Sequence, residues 1–299
     1  MKILKNSSKK HHYVAQCLQR EFSIDADREF IYEFEILSTS PVIQLSPPKK
    51  VKIENNLQNH NGFTLRELPD GQQLNLERVF KSAEDMFAKN LRSLKLKILE
   101  ESEDIEELLK NIMVYFFLDY MRNPNRKEEL LGSILMFPPA MKQYLYENLN
   151  VNLFSDTDSF HTILLTIALL SADDYKKVLA SVFNGSQAWV KSELYTYDES
   201  TLSERGILLS DMSVFCQELS DNTLVYFCSL SNNMLLVTYL NLTKVRLDAI
   251  SSKKLAKPSI KIFENNVELL ESYNSSVIYK SKSKVYSNKS VIFGVNTNN

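Results

Sequence analysis

The pattern of apolar and polar positions changes twice along the chain, and each change predicts a different kind of element. Residues 30–36 alternate aromatic or aliphatic side chains with acids, which is the period-two pattern of a half-buried strand. Three prolines then interrupt this pattern and leave room for short strands at residues 42–45 and 51–53. Residues 55–71 are polar and contain two glycines, so we interpret them as an irregular crossing segment.

A spacing of three to four residues replaces the alternation in the middle of the chain. It predicts a long amphipathic helix over residues 75–100 and a second, central helix over residues 105–121. Further helices are predicted over residues 126–137, 140–149 and 160–182. Six acids among residues 100–107 fit the solvated start of the second helix, where the helix dipole favours negative charge.

The last third of the chain returns to short strands. Aliphatic or β-branched runs separated by polar turns predict an antiparallel strand cluster, at residues 207–209, 214–217, 225–228 and 235–240. A closing helix is predicted over residues 260–273, with a strand-like segment at 277–279. The fold class is therefore α+β: a short N-terminal β segment, a central helical bundle and a C-terminal antiparallel β cluster with a closing helix.

We expect these parts to form one intimate unit rather than independent domains, because the length suits one large domain or two closely packed ones. The first part is a flexible basic N-terminus, residues 1–10. An N-terminal β and irregular segment follows over residues 11–72, then a helical region over residues 73–186. Residues 187–299 form the antiparallel strands and the last helix.

Glycine is scarce, and this scarcity excludes several functional motifs. The chain has six glycines among 299 residues, and no two of them are closer than nine positions apart. This spacing excludes G-x-G-x-x-G, the Walker loop G-x-x-x-x-G-K-[ST] and the nucleophile motif G-x-S-x-G. Any phosphate or other anion must therefore be held by side chains rather than by a glycine-rich loop.

Charge and cysteine content set the expected compartment and partners. The net charge of −2 gives no global basic field, so nucleic acid would need a local basic patch. Three cysteines without a C-x-x-C pair indicate a reducing compartment and argue against structural zinc. The start of the chain lacks the apolar segment of a signal peptide, and no apolar run approaches the ~20 residues of a membrane span. We expect a cytoplasmic protein without a membrane partner.

Two short runs carry polar side chains suited to chemistry. His12 and Gln16 lie four residues apart and would meet on one face of a helix, where histidine can transfer a proton at neutral pH. Arg122 and Arg126 flank a helix break. Arginine in such a place can bind a phosphate bidentately, or it can simply complement the helix dipole.

Two acidic places complete the candidate set. Ser210 and Asp211 lie in a turn between strands, where a carboxylate either catalyses or bonds its own backbone. Glu77 and Glu84 share one face of the long helix two turns apart, and each taken alone is a surface charge. No cluster of metal ligands is apparent, so no cofactor is expected, although Asp211 and Glu84 could hold Mg²⁺ through oxygen.

The order of these runs resembles an uncharacterised bacterial family of unknown function. Its members open with His-Tyr-Val-Pro-Gln, similar to residues 12–16 here, and carry a Ser-Asp-Asn-Pro-Val turn, similar to residues 210–214. An Arg-x-Pro-like turn is similar to residues 122–126. The chain departs from the family at Ala15 and at residues 212–213, where prolines are lost. The departures affect turn geometry more than polar chemistry.

The resemblance implies a divergent effector of bacterial antiviral defence. The first hypothesis is a toxin-like nuclease that cleaves RNA or DNA, with His12 as general acid or base and Arg122 as anion clamp. The predicted catalytic residues are His12, Gln16, Glu84 and Asp211, and the predicted substrate-binding residues are Arg122, Arg126 and Ser210. The alternatives are a non-enzymatic sensor, in which these residues form a structural polar network, and an obligate subunit of a complex whose partner is encoded nearby.

Overall fold

The computed structural model shows an α+β protein, and it describes most of residues 10–126 and 189–295. The described residues are 5–6, 10–60, 64–67, 73–75, 77–100, 105–126, 189–219, 222–241 and 258–295. The helices predicted over residues 126–137, 140–149 and 160–182 lie outside this part of the chain, apart from residue 126. No helix among the described residues is long and apolar enough to cross a membrane.

The N-terminal part is built from short strands and one short helix. Its strands are β1 (Lys5–Asn6), β2 (Lys10–His12), β3 (Phe30–Ser38), β4 (Gln44–Leu45), β5 (Lys49–Lys52), β6 (Gln58–His60), β7 (Thr64–Glu67) and β8 (Gln73–Asn75). Helix α1 (Gln16–Gln19) connects β2 to β3 and continues into a 3-10 turn at Arg20–Phe22. The segment predicted to be irregular, residues 55–71, thus contains β6 and β7.

A helical hairpin and a strand-rich C-terminal part complete the fold. The hairpin consists of α2 (Glu77–Leu99) and α3 (Glu106–Arg122), as the apolar spacing predicts. The later elements are β9 (Trp189–Thr196), α4 (Glu199–Leu202), β10 (Arg205–Gly206), β11 (Leu209–Ser210), β12 (Val214–Glu218), β13 (Thr223–Ser231), β14 (Met234–Asn241), β15 (Ser259–Glu264), α5 (Val267–Lys280), β16 (Lys284–Ser287) and β17 (Val291–Ile292).

One sheet joins the two ends of the chain. Its order is β11-β16-β3-β4, with β5 also beside β3, and every pair is antiparallel. The N-terminal strand β3 therefore pairs with the C-terminal strand β16. The predicted alternation of β3 fails on the face of the acids, where Ile31 and Glu33 are both buried. Glu33 forms an ion pair with Lys284 at 3.0 Å and accepts a hydrogen bond from the Tyr286 hydroxyl at 3.4 Å.

A second sheet carries the predicted antiparallel cluster. Its order is β12-β13-β14-β9-β15, antiparallel except for the parallel pair β15 and β9. Smaller pairings join β1-β8-β7, β2-β6 and β10-β17. The hairpin packs on this sheet, where the rings of Phe117 on α3 and Tyr226 on β13 meet edge to face at 5.0 Å. Within the hairpin, Phe87 stacks on Tyr115 with ring centroids 4.1 Å apart.

The prediction for the closing helix is wrong in its first half and at its end. Residues 259–264 form β15, because they pair in parallel with β9, a strand that the sequence patterns did not predict. The helix α5 begins only at Val267, where the side chain of Asn266 accepts a hydrogen bond from the backbone N–H of Leu269. The strand-like segment at 277–279 lies inside α5.

Asn274 on α5 fixes the C-terminal segments to one another. Its side chain is fully buried, and its Oδ1 accepts a hydrogen bond from Leu208 N–H at 3.0 Å. Its Nδ2 donates to the carbonyl oxygens of Gly206 and Phe293 at 3.2 and 2.9 Å. One amide therefore satisfies three backbone groups that are shielded from water.

We predict that Asn274→Ala lowers the free energy of unfolding by about 3 kcal/mol, because buried backbone groups lose their partners. Chemical denaturation followed by circular dichroism measures the change. Ser272→Ala, an exposed substitution on the same helix, is the control and should change stability by less than about 0.5 kcal/mol. Equal stability of the two variants would contradict a role for Asn274 in fixing the segments.

Candidate functional site

His12 lies at the end of β2 and is held by hydrogen bonds on both sides of its ring. Its Nε2 lies 3.1 Å from the carbonyl oxygen of Glu54, and the Gln16 amide nitrogen lies 3.2 and 3.4 Å from the two ring nitrogens. With Nε2–H donating to Glu54, Nδ1 is the acceptor for Gln16. The Gln16 oxygen accepts a hydrogen bond from Arg20 at 2.8 Å.

Burial favours the neutral form of the His12 ring. Burial lowers the pKa of His12, and the charge of Arg122 lowers this pKa further, against the opposing effects of the Glu54 carbonyl and of Glu84. His12 and Gln16 meet as the sequence predicts, although His12 ends a strand and Gln16 begins α1. The local structure is therefore strand, turn and helix rather than one continuous helix.

Arg122 is a buried cation enclosed by carboxylates. Its side chain is 2% exposed, its Nη1 lies 2.6 Å from Glu84 Oε1, and its Nε lies 2.8 Å from Asp119 Oδ1. Its guanidinium also lies over the Phe80 ring, 5.1 Å from the centroid. The buried Asp119 accepts a further hydrogen bond from the Tyr115 hydroxyl at 3.3 Å. Glu84 on α2 and Asp119 on α3 thus close the guanidinium between the two helices.

Charges around this ion pair influence one another. Burial raises the pKa of Asp119, which the charge of Arg122 and the Ser213 hydroxyl oppose. Burial raises the pKa of Glu77 to about 7, and the negative charge of Glu84 adds to this effect. The two glutamates therefore do share a face of α2, as the sequence predicts. We call His12, Glu77, Glu84, Asp119 and Arg122 the hairpin polar cluster.

Asp119 was missed by the sequence analysis, and so was the Tyr115 hydroxyl. The available signal was the spacing of Asp119 and Arg122, since side chains three positions apart on a helix are neighbours. An acid and a base at this spacing inside an otherwise apolar helix indicate a buried pair. Cys17 also lies beside this cluster, and burial raises the pKa of its thiol well above the ordinary value.

Asp211 does not contact His12; it binds the backbone of residues 282–284. Its carboxylate accepts hydrogen bonds from three consecutive backbone N–H groups, those of Lys282, Ser283 and Lys284, at 2.9, 2.9 and 3.0 Å. Burial raises the pKa of Asp211, and these bonds oppose the rise. The carboxylate therefore fixes the connection between α5 and β16, while the His12 ring is hydrogen-bonded to Glu54 and Gln16.

Ser210 and Asn123 bind this turn to its neighbours. The Ser210 hydroxyl lies 2.7 Å from the Ser281 hydroxyl and accepts a hydrogen bond from Met212 N–H at 2.9 Å. The Asn123 side chain at the end of α3 donates to the carbonyl oxygen of Asp211 at 2.9 Å. Asn123 thus joins the end of α3 to the turn that contains Asp211.

Arg126 is also directed inward. It is 5% exposed, donates to the carbonyl oxygen of Val214 on β12 and stacks over the Tyr120 ring at 4.0 Å. The two arginines that the sequence offered as anion ligands therefore bind protein groups. Asp211 and Glu84, the pair considered for Mg²⁺, contact different partners. No group of three or more His, Cys, Asp or Glu side chains in the described part of the chain is arranged to hold a metal ion.

The two positions that lack the prolines of the resembled family differ in backbone geometry. Ala15 has φ of −56°, close to the angle that a proline ring imposes. Ser213 has φ of +64°, which a proline ring cannot adopt. The turn after Asp211 therefore has a backbone conformation that a proline at position 213 could not adopt. At position 15 a proline would fit the observed backbone.

A polar cavity of about 480 Å³ lies beside Asp211. Its charged lining residues are Glu33, Lys49, Lys52, Asp211 and Lys284. Tyr13 and Tyr286 add hydroxyl groups to the same lining. Burial raises the pKa of Tyr13 to about 12, with the charge of Asp211 adding to it, so the phenol remains a hydrogen-bond donor at neutral pH.

Comparison with known proteins gives no relative from which a role can be carried over. No protein-family model matches the chain, and neither the curated proteins nor the solved structures contain a match.

We predict that Glu77 makes stability fall as pH rises from about 4.5 to about 7. A pKa raised from 4.5 to about 7 means that the folded state holds the proton more tightly, so ionisation costs stability. This contribution is complete below about pH 4.5 and is lost through about pH 7, with an upper limit of about 3 kcal/mol.

The measurement compares unfolding free energies of the wild type and Glu77→Gln at several pH values between 5 and 8. The variant should lose the glutamate's part of the pH dependence and should gain stability over the wild type at pH 8. Asp85→Asn, at an exposed position of the same helix, is the control and should follow the wild type. Parallel pH profiles for the wild type and Glu77→Gln would refute the raised pKa.

Proposed function

We propose that this chain is a non-enzymatic sensor. Its setting in bacterial antiviral defence in the cytoplasm is carried over to this proposal from the family resemblance of the sequence. The observation that carries the proposal is the bonding of the two residues on which catalysis would depend. Both ring nitrogens of His12 are engaged by Glu54 and Gln16, and the 2%-exposed Arg122 directs its donors at Glu84 and Asp119. A general base needs a ring nitrogen directed at substrate, and an anion clamp needs free N–H donors.

The placement of Asp211 supports the same proposal. Its carboxylate is occupied by backbone N–H groups of residues 282–284, so it fixes a chain connection rather than orienting His12. The cavity beside Asp211 gives a sensor a place for a small ligand, since about 480 Å³ lies within the usual ~300–1,000 Å³ of ligand sites. Lysines, carboxylates and phenols in its lining suit a polar ligand.

A toxin-like nuclease is the second candidate, favoured by one observation. The carboxyl of Glu77 has a pKa of about 7 and lies beside Glu84 and Arg122. A group that titrates near neutral pH is suited to general acid–base catalysis, and such groups concentrate at functional sites. In that case RNA or DNA would be cleaved with Glu77 as the proton-transferring group.

The test separates a structural role of His12 from a catalytic one. The purified wild type, His12→Gln and Glu77→Gln are incubated with RNA, single-stranded DNA and duplex DNA, with and without Mg²⁺. We expect no cleavage above background by any of the three proteins. We also expect His12→Ala to lower the free energy of unfolding by about 1–2 kcal/mol, because the Glu54 carbonyl and the Gln16 amide lose their partner.

Expression in bacteria provides the second measurement. Growth, phage resistance and RNA integrity are compared for the wild type and for His12→Gln, after both are shown to fold. Equal behaviour of the two supports the sensor. Cleavage by the wild type that disappears in folded His12→Gln or Glu77→Gln would establish the nuclease instead. An obligate subunit would be favoured if the chain always co-purified with a protein encoded nearby and were insoluble when expressed without that protein.

A further inference from the structure

A second cavity, of about 340 Å³, lies between α2 and the segment that follows β2, and it has a strongly basic lining. Helix α2 contributes Arg92 and Lys95, and the segment after β2 contributes Arg20 and Arg28. Among the described residues, Glu21 is the single acid of this lining. The remaining lining residues are Cys17, Ala88 and Leu91, so the lining from α2 follows positions 88, 91, 92 and 95 along one helix face.

The charges of this basic cavity do not balance within the described residues. Arg28 and Lys95 both bind Glu21, at 2.5 and 2.7 Å. Arg20 donates to the neutral Gln16, and Arg92 forms no hydrogen bond or ion pair with any residue that the structure describes. Four cations therefore face one carboxylate, which leaves an excess of three positive charges around one concavity.

Arg28, which lines the cavity, lies in a turn with an unusual backbone conformation. Arg28 has φ of +57°, in the left-handed region that favours glycine. The turn is held by the Asp25 carboxylate, which accepts hydrogen bonds from Glu29 and Phe30 N–H at 3.2 and 2.9 Å. Arg28 Nε then donates to the backbone carbonyl oxygen of Arg20 at 3.1 Å.

We propose that this basic cavity binds a small molecule with two phosphate groups, such as a diphosphate. A phosphate monoester carries about −1.5 to −2 charges at neutral pH, so two phosphate groups match the excess of three positive charges. Arginine donors bind phosphate oxygens in pairs, which replaces the glycine-rich loop that this chain lacks. The inference does not depend on the proposed function, because the cavity can bind an anion in a sensor or in an enzyme.

The size of the cavity separates a small molecule from a nucleic-acid strand. A volume of about 340 Å³ lies at the lower end of the ~300–1,000 Å³ range of small-molecule sites. Single-strand binding proteins instead use open basic grooves with aromatic side chains on which bases stack. The described residues that line this cavity include no aromatic side chain.

The test is calorimetric titration of the full chain with inorganic pyrophosphate, inorganic phosphate and a single-stranded RNA oligonucleotide. Arg92→Gln is the main variant, because Arg92 is exposed and its loss breaks no bond to a described residue. Lys89→Gln, an exposed substitution on α2 outside the cavity lining, is the matched control. Thermal unfolding confirms that each variant folds.

We expect pyrophosphate to bind more tightly than phosphate, with an affinity that falls as salt is added. Arg92→Gln should raise the Kd for pyrophosphate about tenfold or more, as expected for a lost charge-assisted hydrogen bond, and Lys89→Gln should change it less than about twofold. Absence of pyrophosphate binding, or equal losses in the two variants, would overturn the proposal. If the oligonucleotide bound more tightly than pyrophosphate and Arg92→Gln weakened that binding, the ligand of the cavity would be a nucleic-acid strand rather than a small molecule.

Discussion

The structure depends on the compensation of one buried cation, the guanidinium of Arg122. A charge taken out of water is costly unless it is paired and hydrogen-bonded, and removal of one partner from a buried ion pair commonly costs ~3–5 kcal/mol. Asp119 on the same helix and Glu84 on the facing helix supply the compensation. Because the carboxylates come from both helices of the hairpin, the requirement for pairing fixes how α2 and α3 lie against each other. The charges of Arg122 and Glu84 also reach His12, so the N-terminal segment shares the same electrostatic environment.

The other contacts that hold distant segments together are hydrogen bonds from neutral or charged side chains to the backbone. Asn123 joins the end of α3 to the carbonyl of Asp211, and the Asp211 carboxylate in turn binds the backbone that leads into β16. Strand β16 then pairs with β3, which places the C-terminal part of the chain in the N-terminal sheet. Each of these contacts joins segments that are far apart in sequence. The buried polar side chains Asn123 and Asp211 therefore hold distant segments together. The unbalanced positive charge lies elsewhere, in the lining of the basic cavity. Cys17 contributes to both places, since it lines that cavity and lies beside the hairpin polar cluster.

Local patterns were sufficient for the elements whose environment is uniform along their length. The apolar spacing predicted α2 and α3, and the alternation predicted β3, because a helix or strand with one buried face repeats its burial at a fixed period. The same reasoning failed at residues 259–264, which form β15 by pairing in parallel with β9, a partner some seventy positions earlier. It also misjudged Glu33, whose burial depends on Lys284 and Tyr286 from the other end of the chain.

The sequence by itself determined the α+β class and the exclusion of glycine-rich phosphate loops. It named His12, Glu84 and Arg122 among the polar residues that meet in the interior, but not Asp119. Only the tertiary structure decided what those residues do. An arginine at a helix end binds an external anion when it faces solvent and stabilises the fold when carboxylates enclose it, and Arg122 is enclosed by residues 3 and 38 positions away. The physical reason is that hydrophobic periodicity is a property of neighbouring residues, whereas charge compensation and burial are set by contacts between distant segments.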